Sequence, residues 1–136
     1  MANYKIEDIE GIGEVTGKKF RDAGVKDTDA LLAASTTPSA RARLAEATGL
    51  SAAQVLKFAN MADLYRIHGV GSDYAQLLEA AGVDTVPALA RRAPANLAAT
   101  LAQVNAEKKL TRRVPPEADV AKWIEQAKEL PRVLEY

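Results

Sequence analysis

The chain has no cysteine, which rules out disulfides, thiolate metal ligands and cysteine nucleophiles. It is also poor in aromatics, at 5% of residues, while alanine is abundant, a balance that favours closely packed helices over sheets. Net charge is missing as well. The 18 basic and 18 acidic residues cancel, and they do so in each half: residues 1–65 carry 8 basic and 9 acidic side chains, residues 66–136 carry 10 and 9. No overall field therefore draws the protein onto a polyanion, which counts against strong non-specific nucleic-acid binding. Long apolar runs are absent too: Met1 to Asp8 does not read as a secretory signal and nothing later could span a bilayer, so a soluble, cytoplasmic protein is expected. A single histidine, His68, stands without cysteine or convergent carboxylates, which suits a surface residue better than a metal ligand. No serine has a His/Asp relay and no Walker loop follows a strand, so the expectation is no catalysis, no cofactor, no metal and no small-molecule substrate.

What is present is a foldable chain of 136 residues, 48% apolar and 26% charged, containing a repeat. Ile9-Glu10-Gly11-Ile12-Gly13 returns as Ile67-His68-Gly69-Val70-Gly71, and at the same offset Gly24-Val25 answers Gly82-Val83 and Ala30-Leu31 answers Ala88-Leu89. Two glycines around one apolar residue, followed by a helix start, describe a tight turn between short helices. Both glycines have access to positive φ, and the residue between them turns inward. The unpaired amides of the next helix are then a natural anion site.

The pattern Ile-x-Gly-apolar-Gly, then Ala-Gly-Val, Thr and Leu, resembles helix-hairpin-helix proteins. It is similar to a bacterial family of tandem helix-hairpin-helix repeats of unknown function and to the amino-terminal domain of RadA-type recombinases. The resemblance covers most of residues 5–64 and, more loosely, 66–130. It implies an all-α fold of two tandem helix-hairpin-helix repeats packed as a compact helical domain, repeat one at 1–65 and repeat two at 66–136, with a longer basic connection at 105–116.

Periodicity places a short helix at residues 4–10, then a helix with Val15, Phe20 and Ala23 on its inward stripe, closed by Gly24. A short helix follows at Asp29 to Ala34, and Thr37-Pro38 opens another. Gly49 and Ser51 separate that one from a long helix at about residues 52–66. In repeat two, Ser72 is the expected cap of a helix ending at Gly82, Thr85 precedes a short helix, Pro94 opens a further one, and a last helix near residues 117–130 buries Val120, Trp123, Ile124 and Ala127. Trp123 takes the place of Phe58, and Arg132 to Tyr136 form a mobile tail.

In helix-hairpin-helix proteins that bind DNA, hairpin amides touch a phosphate and basic residues on the next helix add charge. The resemblance carries these roles to Gly11, Ile12 and Gly13, supported by Lys18 and Lys19. Glu14 departs from the pattern, because its carboxylate competes for the place of the phosphate. Gly69 and Gly71 match in repeat two, but Asp73 follows and Gln76 and Leu77 stand where the lysines should be. The competing reading of all four glycines is purely structural. Lys108, Lys109, Arg112 and Arg113 make the densest basic patch, either a flexible phosphate-gripping arm or a solvated loop.

Two functions emerge. One is a non-catalytic module holding nucleic-acid backbone, DNA above all, without reading bases. The other is a protein-interaction or scaffold module, favoured by the zero net charge and by Glu14 and Asp73.

Overall fold

The computed structural model describes residues 3–136. Among them the chain forms eight α-helices and no β-strand: α1 (Glu14–Asp22), α2 (Thr28–Ala34), α3 (Pro38–Thr48), α4 (Ala52–Leu64), α5 (Ser72–Ala80), α6 (Val86–Ala90), α7 (Pro94–Lys108) and α8 (Glu117–Glu129). The all-α expectation holds. The helices fall into two compact units, one running to Asp63 and including Arg132–Tyr136, the other comprising Leu64–Pro131.

In the first unit, the residues before Gly11 do not form the expected helix. They make a single 3₁₀ turn, Ile6–Asp8, because the backbone on either side is used elsewhere: Ile6 N–H donates to Lys26 O at 3.0 Å and Thr28 N–H to Tyr4 O at 2.9 Å. Gly11 then adopts φ +92°, and Ile12 donates its amide back to Ile9 O at 3.0 Å, which turns the chain sharply and buries Ile12. Gly13 is the N-cap of α1 in an extended conformation, φ −93°, so of the two glycines only the first uses the left-handed region.

Helix α1 buries Gly17 and Phe20, three residues apart on one face. Val15, expected on that face, is 73% exposed. It lies two residues before Gly17, about 200° around the helix, and so projects outward. Phe20 meets Phe58 of α4 edge to face, ring centroids 6.0 Å apart. Asp27 caps α2 at Ala30 N–H and Thr37 caps α3 at Ala40 N–H, while Ser51 and Gln54 exchange side-chain and backbone bonds at the start of α4.

The last five residues are ordered by the first unit. Leu134 is buried, Glu135 N–H donates to Thr36 O at 2.7 Å, and the Tyr136 hydroxyl donates to Asn60 Oδ1 at 2.9 Å. The Tyr136 ring lies 5.9 Å from the Arg41 guanidinium carbon and 5.4 Å from that of Arg132. A mobile tail was the wrong expectation here, since a short segment after proline is held once its leucine finds a buried site.

Residues 67–83 of the second unit share the backbone scheme of residues 9–25 at a fixed offset, and the later helices depart from it. Gly69 has φ +95°, Val70 N–H donates to Ile67 O at 3.1 Å, and Gly71 caps α5. Ser72, expected as the cap, is instead the first helical residue. Helix α1 ends with Gly24 N–H to Arg21 O and Val25 N–H to Phe20 O, and α5 ends with Gly82 N–H to Glu79 O and Val83 N–H to Leu78 O. Both ends are thus Schellman closures around a left-handed glycine. Helix α8 packs on α6 and α7, and α5 on α7. Helix α7 continues through Lys108, so residues 105–108, expected in the connection, are helical.

Candidate functional site

Helix α5 begins without a side-chain cap, because its N-cap, Gly71, has no side chain to offer. Its first-turn amides lack intrahelical acceptors. In front of them is a groove of about 500 Å³ lined by Gly69, Gly71, Ser72, Asp73, Tyr74, Thr111, Arg112 and Arg113. Two arginines and one aspartate therefore line the same space. None of the ion pairs among the described residues involves Arg112, Arg113 or Asp73. Spacing along the chain did not reveal this convergence, because the cations the second hairpin lacks on its own helix come from a connection almost forty residues later.

That connection is held in place. Asn105, only 8% exposed, donates through Nδ2 to Thr111 O at 3.1 Å and accepts the Thr111 amide at Oδ1 at 2.9 Å. The Thr111 hydroxyl then donates to Arg113 O at 2.8 Å. Lys109, at φ +52°, is the one non-glycine residue with positive φ among those described, and its amide closes α7 onto Asn105 O. The basic stretch is thus a pinned loop and not a flexible arm. Lys108 and Lys109 are exposed but do not line the groove.

The opposite wall is pinned in the same manner. Gln126 of α8 accepts the His68 amide at 2.7 Å and donates to the His68 carbonyl at 3.2 Å, fixing the residue that precedes Gly69. Trp123, one turn earlier on α8, lies under that glycine: a Cβ on Gly69 would stand 3.1 Å from Trp123 Nε1. Phe58 lies under Gly11 in the same way, its Cε1 3.3 Å from such a Cβ. In each unit an aromatic ring closes against the left-handed glycine.

A family model described as a domain of unknown function (DUF4332) matches residues 10–130. The chain belongs to that family. The match runs from the first hairpin to the end of α8 and so takes in both hairpins and the groove. No curated protein and no solved structure matches the chain.

The turn at residues 11–13 offers less to an anion than its residue types suggest. Gly11 and Gly13 are exposed, but Ile12 is buried and its amide is used within the turn. Lys18 is paired with Asp22 at 3.0 Å, one turn on, and Lys19 is exposed. Glu14 and the exposed Val15 begin the helix.

An ion pair that sequence reading missed lies behind that helix. Glu7 accepts two hydrogen bonds from Arg21, at 2.8 and 2.6 Å, and these bonds hold its carboxyl down at about 2. Gly17 makes room for it, since a Cβ there would sit 2.7 Å from Glu7 Oε2. Asp27 is also held below the usual carboxylate range, chiefly by the Ala30 amide it caps and then by Asn3. Among the described residues no cluster of acidic or histidine side chains could hold a metal ion, and no helix is long and apolar enough to cross a membrane.

Proposed function

We propose that the protein is a non-catalytic module that holds nucleic-acid backbone, built from two helix-hairpin-helix units of which the second carries the main contact. The observation that supports this reading most is the groove in which the uncapped start of α5 meets Arg112 and Arg113. Helix-start amides and two guanidinium forks suit a phosphate, and two positive side chains outweigh Asp73. Contacts of this type grip the backbone and leave the bases unread. Gly69 and Gly71 shape the site; Gly11, Gly13, Lys18 and Lys19 form a weaker second contact, because Asp22 already neutralises Lys18.

The test is a fluorescence anisotropy titration of the intact protein with labelled DNA over a series of salt concentrations. Binding should weaken with salt, and Arg112→Glu/Arg113→Glu should flatten the slope of log K against log salt by about 1.4–1.8, the loss of two phosphate contacts. Lys18→Glu/Lys19→Glu should reduce affinity less. Failure to bind duplex, branched or single-stranded DNA at low salt removes the proposal.

The first unit supports a second reading. Glu14 at the start of α1, with the exposed Val15 beside it, suits a protein partner better than a phosphate, because its carboxylate repels an anion there. Retention of one partner by the wild type and its loss on Val15→Lys would favour that reading for unit one.

A further inference from the structure

A second cavity of about 230 Å³ adjoins the basic groove and shares Gly69 and Tyr74 with it; Asp119, Lys122, Trp123 and the exposed His68 complete most of its wall. Tyr74 is half-buried and stands between the two spaces, one basic and one lined by rings. Its ring packs on Trp123, centroids 5.2 Å apart with the planes inclined by 52°. Trp123 is 4% exposed and is in turn held against Gly69. Gln126, one turn beyond Trp123, fixes the backbone of His68. The aromatic wall is therefore supported from behind before any ligand arrives.

We propose that this pair of cavities takes an unpaired nucleic-acid strand, with a phosphate against Arg112 and Arg113 and the neighbouring base in the second cavity against Tyr74. The inference rests on the nucleic-acid reading above and adds the class of strand. Three features carry it. The second cavity falls below the roughly 300–1,000 Å³ of sites for drug-sized ligands, which suits one planar ring system. Asp119 and Lys122 offer an acceptor and a donor to the edge of such a ring, and an aromatic wall offers its face. In a duplex both faces of a base are covered by its stacked neighbours, so only a strand free to turn a base outward can use this wall. Base stacking on an aromatic side chain tolerates any base, consistent with a site that grips backbone and does not read sequence.

The experiment compares one labelled oligonucleotide, single-stranded and as its duplex, by anisotropy with the intact protein, and follows the emission of Trp123, the sole tryptophan. The single strand should bind roughly 5- to 150-fold more tightly than the duplex, the yield of one stacked base, and should shift or quench Trp123 emission at saturation. Tyr74→Leu, which keeps apolar bulk over Trp123, should lose that preference, its affinities for the single strand and the duplex becoming equal, and Tyr74→Phe should retain it. Equal affinity for both forms, or a Tyr74→Leu variant that keeps the single-strand preference, overturns the strand assignment and leaves backbone binding standing. Failure to bind either form overturns both.

Discussion

Replacing Asn105 by alanine tests whether the basic loop is built or merely present. The change removes the two hydrogen bonds that hold the Thr111 backbone, at 3.1 and 2.9 Å, from a side chain that is almost fully buried. At about 0.5–1.5 kcal/mol net per bond the loss is about 1–3 kcal/mol. Water reaches part of half-buried Thr111 and takes over some of that bonding, so the lower half of the range applies. With an unfolding entropy of about 2.1 cal/mol/K per residue, a loss of about 1.5 kcal/mol lowers Tm by about 5 °C if all 136 residues unfold together.

Nucleic-acid affinity should fall as well. A released loop leaves two arginines to be ordered on binding, at about 0.5–1.5 kcal/mol each, or roughly 5- to 150-fold in Kd. The salt slope should stay at the wild-type value, because both positive charges remain. Calorimetry and salt-dependent anisotropy on the same preparation read the two effects. A variant that melts within 1 °C of wild type would show that the clamp contributes nothing. Unchanged affinity despite lowered stability would refute the link from clamp to groove.

Leu134→Ala should destabilise the protein by about 2–4 kcal/mol in denaturant titrations, since it empties a buried site; an effect below about 0.5 kcal/mol would mean that the carboxy-terminal segment is not packed as described. Gly69→Ala should cost about 2 kcal/mol, combining an alanine at φ +95° with a Cβ 3.1 Å from Trp123 Nε1. Gly13→Ala, at φ −93° with open space around it, should cost less than about 1 kcal/mol. Equal costs for the two would contradict the assigned turn. Glu7 should titrate near 2 by NMR and move toward 4.5 in Arg21→Ala. Because the folded-state value is the lower one, the pair's stabilisation is complete above about 4.5 and disappears as pH falls through about 2. A wild-type midpoint close to 4.5 would remove the ion pair.

The elements legible from the chain were those with local causes. Gly24 and Gly82 ended helices as expected, Thr37 capped α3, Thr85 preceded α6, and proline opened α3 and α7, because each of these effects acts within a few residues. What escaped depended on contacts distant in sequence. The segment before Gly11 has helical spacing, but its backbone is committed to Lys26 and Thr28. Asn105 sits in register with Leu97 and Leu101, but it was expected in the connection and not on the helix, so neither its burial nor its partner was read. Gly17 has no local reason in its own helix; its cause is Glu7, which fills the space that a Cβ would need. The groove was half legible: the glycines and the arginines were both noted, but as separate candidates, since nothing in their spacing announces that Thr111 brings them together.

The return of Arg132–Tyr136 to the first unit sets an order of events during synthesis. The amino-terminal unit emerges early from the ribosome, yet the seat for Leu134 stays vacant until the whole carboxy-terminal unit has been made. Dividing the gene after Asp63 would accordingly give an amino-terminal fragment with an uncovered apolar seat. Supplying residues 132–136 as a separate peptide, or splicing them directly onto residue 63 through a short flexible linker, would refill it.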